Sequence, residues 1–199
     1  MLKGPNAFFQ AATLNLGPGA KVQFEIHGQP DGALPGGQFQ VTGTANLAGE
    51  LIIDFRIVPS AAATWVLFRT NSANGINGAF GTVTFLNLNP GYTAMVQQAT
   101  DPMGNAILQL VLTGTPIEPE WTNPATAGAG REFSTPANWQ GGIVPSPGTN
   151  ARIRNGGIAV ANSGMTPPMQ VLDFSLGTPG MNVSSGLVSN GVPITTVAS

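Results

Sequence analysis

Glycine and proline interrupt this chain so often that no segment of it is suited to a long helix. The 199 residues include 27 glycines and 17 prolines. Between these interruptions, apolar residues at the helical spacing i, i+3, i+4 and i+7 never persist across three turns. Hydrophobic residues make up 42% of the chain, so apolar material for a core is available. The sequence therefore predicts an all-β protein of short strands joined by many turns.

Hydrophobic and polar residues alternate along the first half of the chain, as in strands with one buried and one solvated face. In the first clear run, Val22, Phe24 and Ile26 share one face, while Glu25 and His27 lie on the other. In the run Leu51 to Ile57 we expect these residues on the buried face: Leu51, Ile53, Phe55 and Ile57. Further strand candidates are Phe39 to Val41, Trp65 to Phe68, Val83 to Phe85, Tyr92 to Val96 and Ala106 to Leu112.

The composition changes at Thr113 to Trp121, where two prolines and two glutamates make a helix or a central strand unfavourable. This change predicts a first β-rich unit at residues 1–114, a linker at 115–120 and a second β-rich unit at 121–199. Strand candidates in the second unit are Ala151 to Ile153, Ile158 to Val160, Gln170 to Leu176, Met181 to Ser184 and Ile194 to Val197.

The spacing of these short strands is typical of a β-sandwich or of the coils of a parallel β-helix. We therefore expect a β-solenoid or β-sandwich-like unit, followed by the start of a second, incomplete parallel β-helix unit. The chain ends inside the strand-like run Thr196 to Ser199, so we expect the second unit to be truncated.

Charge and cysteine content exclude several classes of function. Only 8% of the residues are charged, the net charge is −2, and no basic stripe is present to bind the phosphates of nucleic acid. With no cysteine there is no disulfide, no thiol catalysis and no zinc site of the cysteine type. No stretch approaches the roughly 18 apolar residues of a membrane span.

Residues suited to catalysis are few. The single histidine, His27, lies two residues from Glu25 on one strand face, but no nucleophile motif accompanies the pair. Asp54 and Glu50 are too far apart on a strand for direct cooperation, and we interpret them as solvating charges. Asp101 is isolated in sequence and no calcium loop is present. We therefore expect neither catalysis nor a cofactor or metal site.

Two segments resemble a known family. The first runs from Ala20 to Gly114 and has these matching elements: Val22 to Gly28, Phe39 to Leu51, Trp65 to Phe68, Ile76 to Phe80 and Ala106 to Leu112. Their order is similar to the closing segment of bacterial autotransporter-like β-solenoid passengers and related repeat-rich surface proteins. This resemblance implies that residues 1–114 close a solenoid.

The second segment runs from Trp121 to Asn162. Its motif contains these residues: Trp121, Phe133 to Trp139, Gly142 to Pro145, Thr149 to Ile153 and Gly157. The motif resembles the segment that starts a parallel β-helix in multi-repeat extracellular bacterial proteins. Those proteins often have an aspartate where this chain has Asn150, so a role of that carboxylate in ion binding or in the turn does not carry over.

Three aromatic residues of the second segment have two possible roles. Trp121, Phe133 and Trp139 could form a platform on which a sugar stacks, or they could cover the end of a solenoid. The second role is favoured because an open coil end exposes apolar side chains and unpaired backbone.

The resemblance and the composition together predict a structural or adhesive segment of an exported bacterial surface protein, without enzymatic activity. Its expected partners are glycans, extracellular matrix or other cell-surface proteins. It would lie outside the cell or on its surface, with the signal sequence upstream. The alternative is a carbohydrate-binding or carbohydrate-active β-helix domain.

Overall fold

The computed structural model describes residues 8–30, 38–125, 127–162, 170–171, 173–177, 185–190 and 195–196. The chain divides into two compact units, Met1–Pro116 and Ile117–Ser199. Throughout the described ranges the backbone forms short β-strands joined by turns, with two short 3-10 turns and no α-helix. The prediction of an all-β protein is confirmed.

The first unit contains three stacked coils, each of which contributes one strand to each of three parallel sheets. The nine strands are β1 (Phe8–Ala11), β2 (Leu14–Asn15), β3 (Lys21–His27), β4 (Gln38–Val41), β5 (Ala45–Leu47), β6 (Glu50–Ile57), β7 (Ala63–Thr70), β8 (Ile76–Gly78) and β9 (Thr82–Leu86). They pair in the orders β1-β4-β7, β2-β5-β8 and β3-β6-β9. All of these pairings are parallel. Of the two architectures predicted for this unit, the β-solenoid is correct.

Equivalent side chains of successive coils lie in columns inside the solenoid. Phe9 lies beside Phe39, and Phe39 lies beside Phe68. The rings of Phe39 and Phe68 stack with centroids 4.8 Å apart and an interplanar angle of 13°. Such contacts add to the free energy of burial, so each coil is stabilised by the coil next to it.

One residue predicted for the core, Ile57, lies outside it and is 50% exposed. Ile26 lies opposite Phe55, but His27 lies opposite Ile57. Arg56 is thus an extra residue in β6, which makes a β-bulge. Because a shift by one residue reverses the face on which a side chain lies, the alternation that buries Leu51 ends at the bulge.

A hairpin ends the parallel stack of the first unit. Its strands are β10 (Tyr92–Thr100) and β11 (Ala106–Gly114), and β11 pairs antiparallel with β7. Leu108, Leu110 and Leu112 of β11 are buried in the same core as the coils. The side-chain amide of Gln98 also donates a hydrogen bond to the carbonyl oxygen of Gly78 in β8, at 2.7 Å. The hairpin therefore covers the edge of β7 and contacts β8 through Gln98.

The turn of this hairpin depends on Asp101, which the sequence analysis considered only as a metal ligand. Its Oδ1 accepts hydrogen bonds from the backbone N–H groups of Met103 and Asn105, at 2.8 and 2.9 Å. The backbone N–H of Asn105 contributes most to lowering the pKa of the Asp101 carboxyl. The Asn105 side chain, the N–H of Met103 and the charge of Arg69 add to this effect, while burial opposes it.

We expect Asp101→Asn to remove part of the acid sensitivity of the first unit. Because the pKa of Asp101 is lowered by folding, its carboxylate stabilises the folded state above the unfolded pKa of about 3.9. This stabilisation is lost as the pH falls through the lower, folded pKa. Thermal unfolding should therefore show a larger deficit for the variant at pH 7 than at pH 2.5. An equal deficit at both pH values would contradict the role assigned to this carboxylate.

The second unit also contains parallel coils. Its strands are β12 (Asn150–Ile153), β13 (Ile158–Asn162), β14 (Gln170–Val171), β15 (Asp173–Leu176), β16 (Gly186–Asn190) and β17 (Thr195–Thr196). The parallel pairs are β12 with β15, β13 with β16 and β14 with β17, which makes two coils. Two 3-10 turns, Pro136–Asn138 and Gln140–Gly142, precede them. A parallel β-helical arrangement is therefore present here, as expected.

Two details of this unit differ from the sequence prediction or fall outside the described residues. The run Gln170 to Leu176 is not one strand, because β14 pairs with β17 whereas β15 pairs with β12. The chain therefore passes from one sheet to another within this run. The strand predicted at Met181 to Ser184 lies outside the described residues.

Candidate functional site

A column of three asparagines lies on the outer face of the sheet formed by β2, β5 and β8. Asn15, Asn46 and Asn77 are exposed, whereas the flanking residues Ala45 and Leu47 point into the core. The side-chain amide of Asn46 donates to Oδ1 of Asn15 at 2.5 Å. The side-chain amide of Asn77 donates to Oδ1 of Asn46 at 3.1 Å. We call these three residues the amide column.

The amide column retains hydrogen-bonding capacity after its internal bonds are formed. A side-chain amide has two N–H donors and an oxygen with two lone pairs. The middle residue, Asn46, uses one donor and one lone pair inside the column. Each coil thus offers solvent a further donor and acceptor, repeated at the inter-strand spacing of about 4.8 Å.

In each coil, the turn that comes after the asparagine of the amide column lines a groove of about 580 Å³. It is lined by turn residues of the three coils: Pro18 to Lys21, Ala48 to Glu50, Ala79, Gly81 and Thr82. Most of these side chains are small. Nζ of Lys21 and Oε2 of Glu50 form an ion pair of 2.7 Å in this lining. The first unit therefore has a shallow groove next to a row of amides.

The predicted pair of Glu25 and His27 belongs to a charged cluster on the outer face of the sheet formed by β3, β6 and β9. Nε2 of His27 lies 3.6 Å from Oε2 of Glu25, which is too long for a hydrogen bond. Nη2 of Arg56 lies 3.1 Å from Oε1 of Glu25 and 2.9 Å from Oδ2 of Asp54. One guanidinium group thus partly neutralises two carboxylates on neighbouring strands.

Asp54 is a buried member of this cluster and not the solvating charge that the sequence suggested. It is 4% exposed. Its Oδ1 accepts a hydrogen bond from the side-chain amide of Asn87 at 2.7 Å, and its Oδ2 accepts one from Gln23 at 3.3 Å. Since both oxygens have partners from other strands or loops, the carboxylate fastens neighbouring coils together.

No cluster in the described part of the chain has three histidine, cysteine, aspartate or glutamate residues placed to hold a metal ion. Within the same residues, no helix is long and apolar enough to cross a membrane.

The three aromatic residues that the sequence singled out lie in the core of the second unit. Trp121, Phe133 and Trp139 are 1%, 1% and 2% exposed. Trp139 packs edge-to-face on both other rings, with centroids 5.1 Å from Trp121 and 4.8 Å from Phe133. Its Nε1–H donates to the carbonyl oxygen of Phe133 at 2.7 Å. As the rings lie here, they offer no open face on which a sugar could stack.

The position of the rings explains their burial. Residues Glu120 and Glu132 form parallel bridges with Arg152 of β12 and Val160 of β13. Since β15 and β16 pair with the opposite edges of β12 and β13, the segment that carries the rings covers one end of this coil pair. Glu118 adds an ion pair with Arg152. Glu118 and Glu120 therefore both interact with Arg152 of β12.

The sequence reasoning missed the amide column. The signal that could have revealed it is the identical 31-residue separation of Asn15, Asn46 and Asn77. Comparison of the chain with itself at this offset would place the three asparagines in line.

Comparison of the chain with models of protein families, with curated proteins and with solved structures found no match. The stacked parallel coils themselves define the class of protein, which is the β-solenoid.

Proposed function

We propose that this chain is a non-catalytic structural or adhesive segment of an exported bacterial surface protein, acting outside the cell or on its surface. The observation that carries the proposal is the amide column: three exposed, hydrogen-bonded asparagines in line along the stack of coils. A rigid row of this kind suits repeated, weak contacts with an extended partner such as a glycan, extracellular matrix or another surface protein.

The charged cluster supports a structural role. Arg56 bridges Glu25 and Asp54, which belong to adjacent coils. Asn87, which follows β9 of the third coil, donates a hydrogen bond to Asp54. Carboxylates held by a guanidinium and by amides are fixed in position between the strands that supply these partners. The cluster therefore acts as a clamp between coils.

Carbohydrate binding is the second candidate, and the groove beside the amide column favours it. Its small lining residues leave room for a sugar chain, while the remaining donors and acceptors of Asn46 and Asn77 could bind hydroxyl groups. In this candidate function the carbohydrate binds the first unit, and the buried rings of Trp121, Phe133 and Trp139 take no part in binding.

The adhesive role predicts that the full-length chain binds a glycan or matrix-protein array, and that Asn46→Ala weakens this binding about five-fold. The figure corresponds to the loss of one hydrogen-bonding group, ~1 kcal/mol. Asn71→Ala is the matched control, because Asn71 is an exposed turn residue outside both the column and the groove. Circular dichroism should confirm that both variants are folded.

Four results separate the alternatives. Binding confined to glycans and weakened by Asn46→Ala supports the carbohydrate-binding candidate, while binding to matrix proteins supports the broader adhesive role. Absence of binding on both arrays would leave only the structural role. Cleavage of any polysaccharide on incubation with the chain, measured as new reducing ends or unsaturated products, would contradict the non-catalytic assignment.

A further inference from the structure

The two ends of the three-coil stack differ. At the end formed by the third coil, β11 pairs with β7 and Gln98 of β10 binds the backbone of β8, while β9 pairs only with β6 among the described strands. At the end formed by the first coil, β1, β2 and β3 each pair on one edge only, among the strands that the structure describes. We call these three strands the open edge.

Backbone groups at the open edge are directed away from the rest of the solenoid. The N–H groups of Leu14 and Leu16 donate to the carbonyl oxygens of Thr44 and Asn46, at 3.0 and 2.9 Å. Because successive residues of a strand direct their N–H and C=O groups to opposite edges, those of Asn15 point away from the second coil. They are suitably placed to bind one more parallel strand.

The amide column ends at the same place and has a direction. Each asparagine donates to the asparagine of the preceding coil, from Asn77 to Asn46 and from Asn46 to Asn15. The side-chain N–H₂ group of Asn15 has no acceptor among the described residues. A residue that continued the column would therefore have to present an acceptor oxygen at this point.

Apolar side chains are also less covered at the open edge. Leu14, Leu16 and Val22 of the first coil are only partly buried. Their counterparts in the second coil are almost fully buried: Ala45 at 0%, Leu47 at 4% and Leu51 at 0%. Phe9, at the end of the row formed by Phe9, Phe39 and Phe68, is 39% exposed. Phe24 and Ile26 are covered, so the uncovered surface comprises β1, β2 and the start of β3.

We propose that the open edge is a docking surface for one further coil of the same geometry. The partner is a polypeptide segment that runs parallel to β1, β2 and β3, with an amide oxygen over Asn15 and an apolar or aromatic side chain over Phe9. This inference concerns assembly and does not depend on the adhesive or carbohydrate-binding role. It rests on continuity with the coil-to-coil contacts already present between the first and second coils.

A coil fits this edge better than a second copy of the chain related by two-fold symmetry. Such a copy would place its strands antiparallel to β1, β2 and β3, because the same edge would meet itself. It would also bring the donor end of one amide column towards the donor end of the other at Asn15. A parallel coil instead continues the donor-to-acceptor order from Asn77 to Asn15.

The test is to add a coil to the full-length chain. A copy of residues 38–66, which carry the second coil, is inserted between residues 7 and 8, so that its strands are in register with the first coil. Hydrogen exchange of the backbone N–H of Asn15 should slow by about 100-fold, and the backbone N–H groups of the inserted strands should themselves become protected from exchange. The midpoint of thermal unfolding should rise by several degrees.

The control is an insertion of the same residues in scrambled order, which should change neither the exchange of Asn15 nor the unfolding midpoint. Unprotected inserted strands and unchanged exchange at Asn15 would overturn the proposal. Sedimentation of the unaltered chain provides the other decisive outcome. A dimer in which Asn15 is already protected would show that a second copy occupies the edge, and the assignment to a coil would be withdrawn.

Discussion

Gly49→Ala is expected to lower the free energy of unfolding of the first unit by about 3 kcal/mol. Gly49 lies in the turn before β6 with φ of +87°, a conformation that costs a residue with a side chain about 1–2 kcal/mol. A Cβ atom there would lie 2.2 Å from the carbonyl oxygen of Ala20 and 2.9 Å from that of Gly17. Both oxygens belong to the backbone of the neighbouring coil, so they cannot move aside cheaply.

Hydrogen bonds hold this backbone in place. The carbonyl oxygen of Ala20 accepts the N–H of Glu50 at 2.8 Å, and the N–H of Ala20 donates to Gly17 at 2.9 Å. Relief of the clash would therefore break the stacking of the first and second coils. Gly81→Ala is the matched control, since its Cβ would meet nothing closer than 3.6 Å. Urea unfolding should show a much lower midpoint for Gly49→Ala than for Gly81→Ala, and equal midpoints would contradict the argument.

Trp139→Ala is expected to destabilise the second unit by about 4 kcal/mol, as is usual when a buried aromatic side chain is truncated. The change removes edge-to-face packing with Trp121 and Phe133. It also leaves the carbonyl oxygen of Phe133 without the hydrogen bond from Nε1 of Trp139. Since the unit is small and these rings cover one end of its coils, we expect β12 and β13 to lose most of their protection from hydrogen exchange.

Hydrogen exchange resolved by residue is the appropriate measurement, because it reports on the two units separately. β6 and β11 of the first unit serve as the internal reference. Trp139→Phe is the milder comparison, which retains most of the packing and loses the N–H donor, at a cost of about 1–2 kcal/mol. Unchanged protection of β12 and β13 in Trp139→Ala would show that the ring cluster is not needed to hold this end of the unit.

The pattern of strands could be predicted from the sequence because each strand carries its own alternation. Val22, Phe24 and Ile26 indicated which face of β3 is buried before any partner strand was known, and Phe24 and Ile26 are indeed in the core. The exposure of Ile57 could not be predicted. It depends on the bulge at Arg56, which exists only because β6 pairs with β3 in a particular register.

The surroundings of the polar side chains could not be predicted from the sequence either, because they depend on contacts between coils. The burial of Asp54 depends on Gln23 and Asn87, which lie 31 and 33 residues away in the chain and become neighbours only when the coils stack. Trp121 and Trp139 are similar, since the sequence allowed either a surface platform or an end cover. Their burial follows from the bridges that the surrounding segment makes with β12 and β13.

The reversal of strand direction at the hairpin has a consequence for how such a chain can change during evolution. The junction between β7 and β11 ends the parallel stack independently of how many coils precede it, since β11 pairs with the last coil alone. Duplication or deletion of one coil, about 31 codons of gene sequence, would preserve this junction. Length can therefore vary in whole coils on one side of the hairpin, while the closing structure is inherited unchanged.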